Sequence, residues 1–350
     1  PIIPLILVNG CRGIGTGFST DVMCYNPLDI IDKLKSMLTN TDNSVELNPY
    51  YKNFTGKISK VENSTKQDSK TSRYIIKGVY HIMSTDKIKI TELPIGTWTQ
   101  DYKEYLESLI TPPKEKRDKR EPIVKDYTDM STDETVEFQV TLYPGMLEKL
   151  MSELHEYSVD GVEKLLKLYS INSTNNMHLF NSKEQLTKYD TVEDIIDEYY
   201  KVRLQYYTKR REFLLEKIKH ELVEMTNLAK YIQYTLDDKI VLKRKTNDEI
   251  NKMLEDMGFD RMKDKASGKL SYNYLIKKPM DSVSDENVEK IMKERSVKEK
   301  ELEMLESKKE EDIWLEELDD LRQTYEELLV KTVKTNKEVV QPIKRQGKKK

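Results

Sequence analysis

Closely spaced glycines after an apolar run are how phosphate-cradling loops begin, and Asn9-Gly10-Cys11-Arg12-Gly13-Ile14-Gly15-Thr16-Gly17-Phe18 has that form. Four of the chain's 12 glycines fall here, so the stretch demands an explanation. A dinucleotide site would need a helix to start at the last glycine and an acidic residue about 20 positions on. Instead, Phe18-Ser19-Thr20 leads to a second turn at Asn26-Pro27, and no Gly-Lys-Ser/Thr ending follows. A nucleotide site and a purely structural turn both stand as readings, and Ile14 taken alone reads as a core residue. Other reactive constellations are sparse. Cys11 and Cys24 cannot build a disulfide framework or a zinc site, and His81, His155, His178 and His220 lack ligand spacing. The mixed charges of Thr111–Pro122 fit a solvated loop or a phosphate contact.

The elements that must position these residues change character along the chain. Ile2–Val8 reads as a short buried strand entering the glycine turn. Asn26-Pro27-Leu28-Asp29 starts a helix, with Asn as cap, Pro at the first helical position and Asp at the positive end, running to about Met37. From Tyr50 to Leu142 the period is two: Ile88, Ile90 and Leu93 share one face, and Val136, Phe138, Val140 and Leu142 alternate with polar residues. Tyr74-Ile75-Ile76 and Val79-Tyr80 add a further strand. Helices are expected at Thr97–Leu109 and Met146–His155, which completes an antiparallel α+β region.

After Thr191 there is no Gly or Pro for 46 residues, enough for a helix of roughly 70 Å. Leu204, Tyr207, Arg211, Leu215, Ile218, Leu222, Met225, Ala229 and Ile232 form a seam at spacings of 3 or 4, interrupted by Arg211. A second helix is expected over Asp285–Val330, with a seam at Leu318, Leu321, Tyr325 and Leu328. Two such helices pair as an antiparallel coiled coil. Between them, Ile250, Met253, Leu254, Met257, Phe259, Tyr272, Tyr274, Leu275 and Ile276 can make a small knob. The basic tail from Lys334 to Lys350 is expected to be disordered.

Composition bounds the rest. Of 350 residues 35% are charged and only 37% hydrophobic, which favours long exposed helices over one large core. The formal net charge of −3 gives no sign of a dedicated nucleic-acid-binding domain, although acidic helices around Glu299–Asp320 can mask local basic contacts. No run of 18 apolar residues exists to cross a membrane, and Pro1–Val8 is too short and unflanked for a secretory signal. A start in mid-strand without Met points to a longer protein.

The specific reading comes from ordered motifs. Ile2-Ile3-Pro4, Leu7-Val8-Asn9-Gly10, Gly13-Ile14-Gly15-Thr16-Gly17, Ser19-Thr20 and Tyr25-Asn26-Pro27 open the series. Tyr51–Gly56, Ile90-Thr91-Glu92-Leu93-Pro94, Thr97-Trp98-Thr99-Gln100, Lys188–Val192, Arg203-Leu204, Tyr274-Leu275 and Asp312-Ile313-Trp314 follow in order. Together they resemble the type IIA DNA topoisomerases, particularly the eukaryotic-type enzymes and their large-DNA-virus relatives. The resemblance implies an α+β chain in which residues 1–25 end a winged-helix domain and 26–190 form a tower. Residues 191–238 and 285–333 would be the coiled coil, 239–284 a dimerising C-gate, and 334–350 a tail.

It further implies that Ile14 wedges between base pairs of double-stranded DNA and helps bend it. An apolar wedge on a glycine-flanked tip can unstack a base step and kink the duplex. Trp98 matches a DNA-contacting tryptophan, and Lys167-Leu168-Tyr169-Ser170-Ile171-Asn172-Ser173-Thr174-Asn175-Asn176, read alone a polar loop, matches a DNA-contacting segment. Arg12 stands where the eukaryotic enzymes commonly carry Glu, which predicts a stronger phosphate contact. Gly96 replaces an Arg or Ala, and Met280-Asp281 replaces an apolar residue and Trp, leaving the gate packing open. The family's nucleophilic tyrosine, its arginine and its Mg²⁺-binding acids lie upstream of the opening motif. None of the 21 tyrosines here has that context; Arg73-Tyr74 is a chance pair. The chain is thus expected to hold no cofactor and to be inactive alone, with Mg²⁺ and ATP belonging to a complete homodimeric enzyme of the nucleus or a viral replication site. A non-enzymatic coiled-coil scaffold or DNA-architectural protein is the competing class.

Overall fold

A computed structural model describes residues 1–41, 45–61, 71–110, 123–263, 268–277 and 284–339. The chain divides into two compact units, one of Pro1–Lys201 with the far end of the chain from Tyr325, the other of Val202–Thr324.

The first unit opens with α1 (Leu5–Asn9), a single helical turn where a strand is expected. Pro4 takes its N-cap, and Ile3 and Leu7, four apart, are buried while Leu5 is exposed. A short apolar run does not carry enough periods to separate helix from strand. A hairpin of β1 (Cys11–Ile14) and β2 (Ser19–Val22) follows. Helix α2 (Pro27–Leu38) is capped as its sequence requires, Asn26 Oδ1 accepting the Leu28 N–H at 3.1 Å. Its buried stripe of Ile30, Ile31, Leu34 and Leu38 contributes about 1.5–3 kcal/mol per side chain.

β3 (Lys57–Val61), β4 (Arg73–Lys77) and β11 (Tyr169–Ser173) make an antiparallel sheet in the order β11-β4-β3. β5 (Val79–Ile82), β6 (Lys87–Glu92), β7 (Val124–Asp129) and β8 (Phe138–Leu142) make another, in the order β5-β6-β8-β7. The segment expected to form one strand over residues 74–80 is therefore split between two sheets. Gly78 sits at the split, where a Cβ would come within 2.3 Å of the Glu92 carbonyl oxygen, and the β5–β6 register shifts at Val79/Tyr80.

Against the four-stranded sheet pack α3 (Thr99–Ile110), α4 (Met146–Ser152) and α5 (Gly161–Leu165). The core holds Ile88, Ile90, Leu93, Phe138, Val140 and Leu142, with Val136 against it, as the period-two pattern requires. Helix α4 stops short of His155, because Leu154–His155 becomes β9, paired with β10 (Val159–Asp160). β12 (Met177–Phe180) and β13 (Leu186–Tyr189) form a second hairpin. The charged stretch Thr111–Pro122 and the pair Met280-Asp281 lie outside the described residues.

Helix α6 (Val192–Leu236) is continuous. In the second unit its seam meets α9 (Asp285–Ser307) and α10 (Glu310–Val339) in antiparallel order. Tyr207 stacks on Trp314 with ring centroids 5.3 Å apart, Lys219 pairs with Glu306 at 2.9 Å and Lys298 with Glu221 at 3.3 Å. The expected single return helix is broken at Lys308-Lys309, although neither Gly nor Pro is present there. Lys308 is extended (φ −86°, ψ 140°), and Asp312 Oδ2 accepts the Lys309 N–H at 3.1 Å to start α10. Arg211, the charged interruption of the seam, donates to the carbonyls of Leu305 at 3.2 Å and Glu306 at 3.0 Å, and to Glu310 at 3.4 Å. It thus satisfies carbonyls that a helix end leaves open. Leu328 is exposed rather than part of the return seam.

The knob follows expectation. α7 (Asn247–Asp256), β14 (Met262–Lys263), β15 (Leu270–Ser271) and α8 (Asn273–Ile276) enclose a core of Ile250, Leu254, Phe259, Tyr272 and Leu275 with Tyr231 and Ile240. α10 runs through Val339, so Lys334–Val339 is helical rather than part of a disordered tail; no Gly or Pro interrupts Glu310–Val339. Residues 340–350 lie outside the described set.

Candidate nucleic-acid interface

The glycine run folds into a hairpin tip. Ile14 faces Ser19 in the β1–β2 register, and the Gly15 N–H donates to the Phe18 carbonyl at 2.8 Å, closing a four-residue loop. Gly17 has φ +84°, a left-handed conformation that favours glycine. No helix begins here, and the Gly15 N–H already has a partner. The nucleotide-cradle reading therefore fails on geometry, since such a site needs free N–H groups at a helix start.

Ile14 is 94% exposed, so it is no core residue. Single exposed apolar residues are common; what distinguishes this one is its place on a tip whose base is held. Cys24 Sγ–H donates to the Asn9 carbonyl at 3.2 Å, and the Tyr25 N–H to the Leu7 carbonyl at 2.7 Å. Arg12 lies opposite Asp21 across the hairpin, Nε to Oδ2 3.9 Å, with its side chain 83% exposed. Such a solvated pair is weak, so the guanidinium remains able to meet a phosphate.

The segment Lys167–Asn176 is an edge strand and its flanks rather than a loop, and its residues divide by role. Leu168 is fully buried in the sheet core. Thr174 is buried too, its Oγ1 accepting the Ser72 N–H at 3.0 Å while its own N–H donates to the Ser72 carbonyl. Both are corrections to a contact role: neither has surface to offer. Ser170 Oγ is buried without a hydrogen-bond partner among the described residues. Tyr169, Asn172 and Ser173 are half-buried on β11, while Lys167, Ile171 and Asn175 are exposed. Ser173 Oγ–H donates to Asn175 Oδ1 at 2.8 Å.

Lys167, at φ +49°, holds its ammonium 3.9 Å from the centroid of the Tyr105 ring. Both line a cleft of about 620 Å³ with Thr97, Lys164, Tyr169 and Ile171. Trp98, next to Thr97, is 74% exposed, which removes the alternative of a core tryptophan. The cleft thus brings the Thr97–Trp98 turn and the start of the 167–176 segment together, although some 70 residues separate them.

The other end of that segment reaches the hairpin. Asn176 Nδ2–H donates to Ser19 Oγ at 2.9 Å, and its carbonyl accepts the Asp21 N–H at 2.7 Å. The His178 N–H donates to Thr20 Oγ1 at 3.3 Å, and His178 Nδ1 lies 3.1 Å from Asn176 Oδ1. Nothing local to either stretch signals this bridge, which spans 157 residues of chain. Tyr74, of the Arg73-Tyr74 pair, is buried, and burial pushes its hydroxyl pKa up, the opposite of an activated nucleophile. Among the described residues no group of three or more His, Cys, Asp or Glu side chains could hold a metal ion, and no helix is long and apolar enough to cross a membrane.

The family model for DNA gyrase/topoisomerase IV (the A-type polypeptide) matches residues 1–319. The chain belongs to this family. It is 33% identical to DNA topoisomerase 2 of Acanthamoeba polyphaga mimivirus over 93% of its length and 29% of the viral protein's. It is 31% identical to DNA topoisomerase 2-alpha of Cricetulus griseus, covering 91% of this chain and 21% of that protein. The chain therefore spans under a third of these curated relatives. The solved DNA-binding, cleavage and re-ligation domain of Plasmodium falciparum topoisomerase II superposes with a TM-score of 0.80 at 32% identity, over 96% of this chain and 45% of that one. In this topoisomerase chain, then, the glycine run and the long helices belong to one family architecture, and the scaffold alternative loses its support.

Proposed function

We propose that this chain is the DNA-bending and dimer-closing portion of an ATP-dependent type II DNA topoisomerase, which passes one duplex through a transient double-strand break in another. Residues 1–25 carry the wedge as the end of a winged-helix domain, and 26–190 act as the tower under the bent duplex. The knob at 239–284 serves as a homodimeric exit gate on the coiled-coil arms. The carrying observation is Ile14 at 94% exposure on the tip of a hairpin held at its base. The cost of partly unstacking a base step is offset by the extra surface that a bent duplex contacts.

Arg12, Trp98 and Lys167 are placed to meet backbone phosphate and sugar, contacts that position a duplex without reading sequence. Mg²⁺ and ATP belong to the complete enzyme: the side chains described here do not converge on a metal, and no step is assigned to either group. Ile14→Ala tests the reading in the complete gate assembly. Bending of an end-labelled duplex, read by energy transfer between its ends, should collapse together with strand cleavage. Unchanged bending would overturn the wedge. Arg12→Glu should lower the salt slope of DNA binding by about 1; an unchanged slope would remove Arg12 from the interface.

A further inference from the structure

The wedge hairpin is short. β1 and β2 hold four residues each, closed by a four-residue tip, and an isolated two-stranded hairpin is marginally stable in water at best. Its direction must come from elsewhere, and the polar contacts at its β2 side converge on one residue. Asn176 presents both its backbone and its side chain to β2: the carbonyl accepts from Asp21, and the amide Nδ2–H donates to Ser19, the partner of Ile14 in the register. With Nδ2 committed as donor, Oδ1 is left to accept from His178 Nδ1, 3.1 Å away. That contact orients the amide, and the His178 N–H adds a third tie at Thr20.

We infer that Asn176 is a positioning residue that aims the Ile14 wedge, rather than a residue that touches DNA. The inference rests on the wedge reading of Ile14 and adds to it the element that sets the wedge's angle. The chemistry suits the task. A neutral amide bridge is not competed away by salt as a charged pair is, so the wedge would keep its aim while the phosphate contacts around it form and break. It also accounts for an Asn in a DNA-facing segment whose polar atoms are already occupied: Nδ2, Oδ1 and the carbonyl each have a protein partner.

The test compares duplex bending with duplex affinity in the complete gate assembly. Asn176→Ala should lower the bent fraction of bound duplex by a factor of about 2 to 10, the equilibrium weight of one neutral hydrogen bond, with the affinity for DNA and its salt slope unchanged. Ser19→Ala removes the same bond from the hairpin side and should give the same loss. The double variant should be no worse than either single one, because the two changes break one interaction. Asn176→Asp should restore the bend per bound duplex, since the Ser19 hydroxyl can then act as donor.

If Asn176→Ala weakens affinity and flattens the salt slope while Ser19→Ala is silent, Asn176 is a DNA contact and the inference falls. Should Asn176→Ala fail to fold, Ser19→Ala alone decides: undiminished bending overturns the inference. Ile14→Ala run alongside separates the two claims. Loss of bending in Ile14→Ala but not in the bridge variants sinks only the positioning role, whereas bending that survives Ile14→Ala sinks the wedge itself.

Discussion

The hairpin tip and the break between α9 and α10 are two places where the backbone cannot set its own direction, and they are held by different chemistry. The hairpin has no core of its own. Its apolar residue points to solvent, and neutral hydrogen bonds from Asn176 and His178 brace its base. The helix break sits beside a stacked aromatic pair, Tyr207 on Trp314, and is tied by the Arg211 guanidinium to two helix-end carbonyls and a carboxylate. A charged donor contributes about 1.5–3 kcal/mol net where a neutral one gives about 0.5–1.5. The break is thus built to be stable, and the hairpin to be aimed. Exposed apolar surface is tolerated at the hairpin only because the fold does not depend on burying it.

Large-to-small substitutions should expose that contrast most strongly. Trp314 is fully buried, so Trp314→Ala should destabilise the helical unit by about 3–5 kcal/mol, seen as a lower midpoint in chemical denaturation. Ile14→Ala removes no packing and should fall within about 0.5 kcal/mol of the parent protein. Comparable losses from the two would show that the hairpin tip is packed after all. Next in size, Arg211→Ala strips the carbonyls of Leu305 and Glu306 of their donor and should cost about 1–3 kcal/mol. Faster amide exchange at the end of α9 is the matching local signal. Arg211→Lys should recover only part, since an ammonium cannot reproduce the planar fork. Full recovery would mean that charge alone matters there.

How legible each region is in the sequence follows from the range of its determinants. The alternation Phe138-Val140-Leu142, the Asn26-Pro27 cap and the knob residues from Ile250 to Ile276 are local patterns, and each takes its expected place. The single turn of α1 carries too few periods to be told from a strand. The split at Gly78 depends on the Glu92 backbone, 14 residues away. The break at Lys308-Lys309 depends on Arg211, which on its own helix looks only like a flaw in an apolar seam. For the candidate interface, ordered motifs point to Ile14 and Trp98, and both prove exposed. They cannot separate Leu168 and Thr174, which hold the sheet together, from their exposed neighbours Lys167 and Asn175, because that division is made by β4 and Ser72 across the sheet.

The smallest expected effect compares the two units through one tyrosine in each. Burial, with the Glu317 carboxylate as hydrogen-bond partner, pushes the Tyr207 hydroxyl up to about 12. Burial near Cys24 and Asp21 does the same to Tyr51, beside the hairpin base, also to about 12. A tyrosine whose pKa is raised by folding keeps its proton more tightly in the folded state than in the unfolded one. Its contribution is therefore fully present below the ordinary value of about 10 and is lost as pH rises through about 12. Both units should weaken over that window, with the tyrosinate absorbance rising late. Tyr207→Phe should flatten the alkaline limb of the helical unit, and Tyr51→Phe that of the unit carrying the hairpin. Glu317→Gln separates the causes: it removes a negative partner from Tyr207 alone, so one late-titrating tyrosine should move towards 10 while the other stays. Movement of both, or of neither, would mean that burial acts alike in the two regions and that the ionic tie at the helix break sets nothing beyond its own geometry.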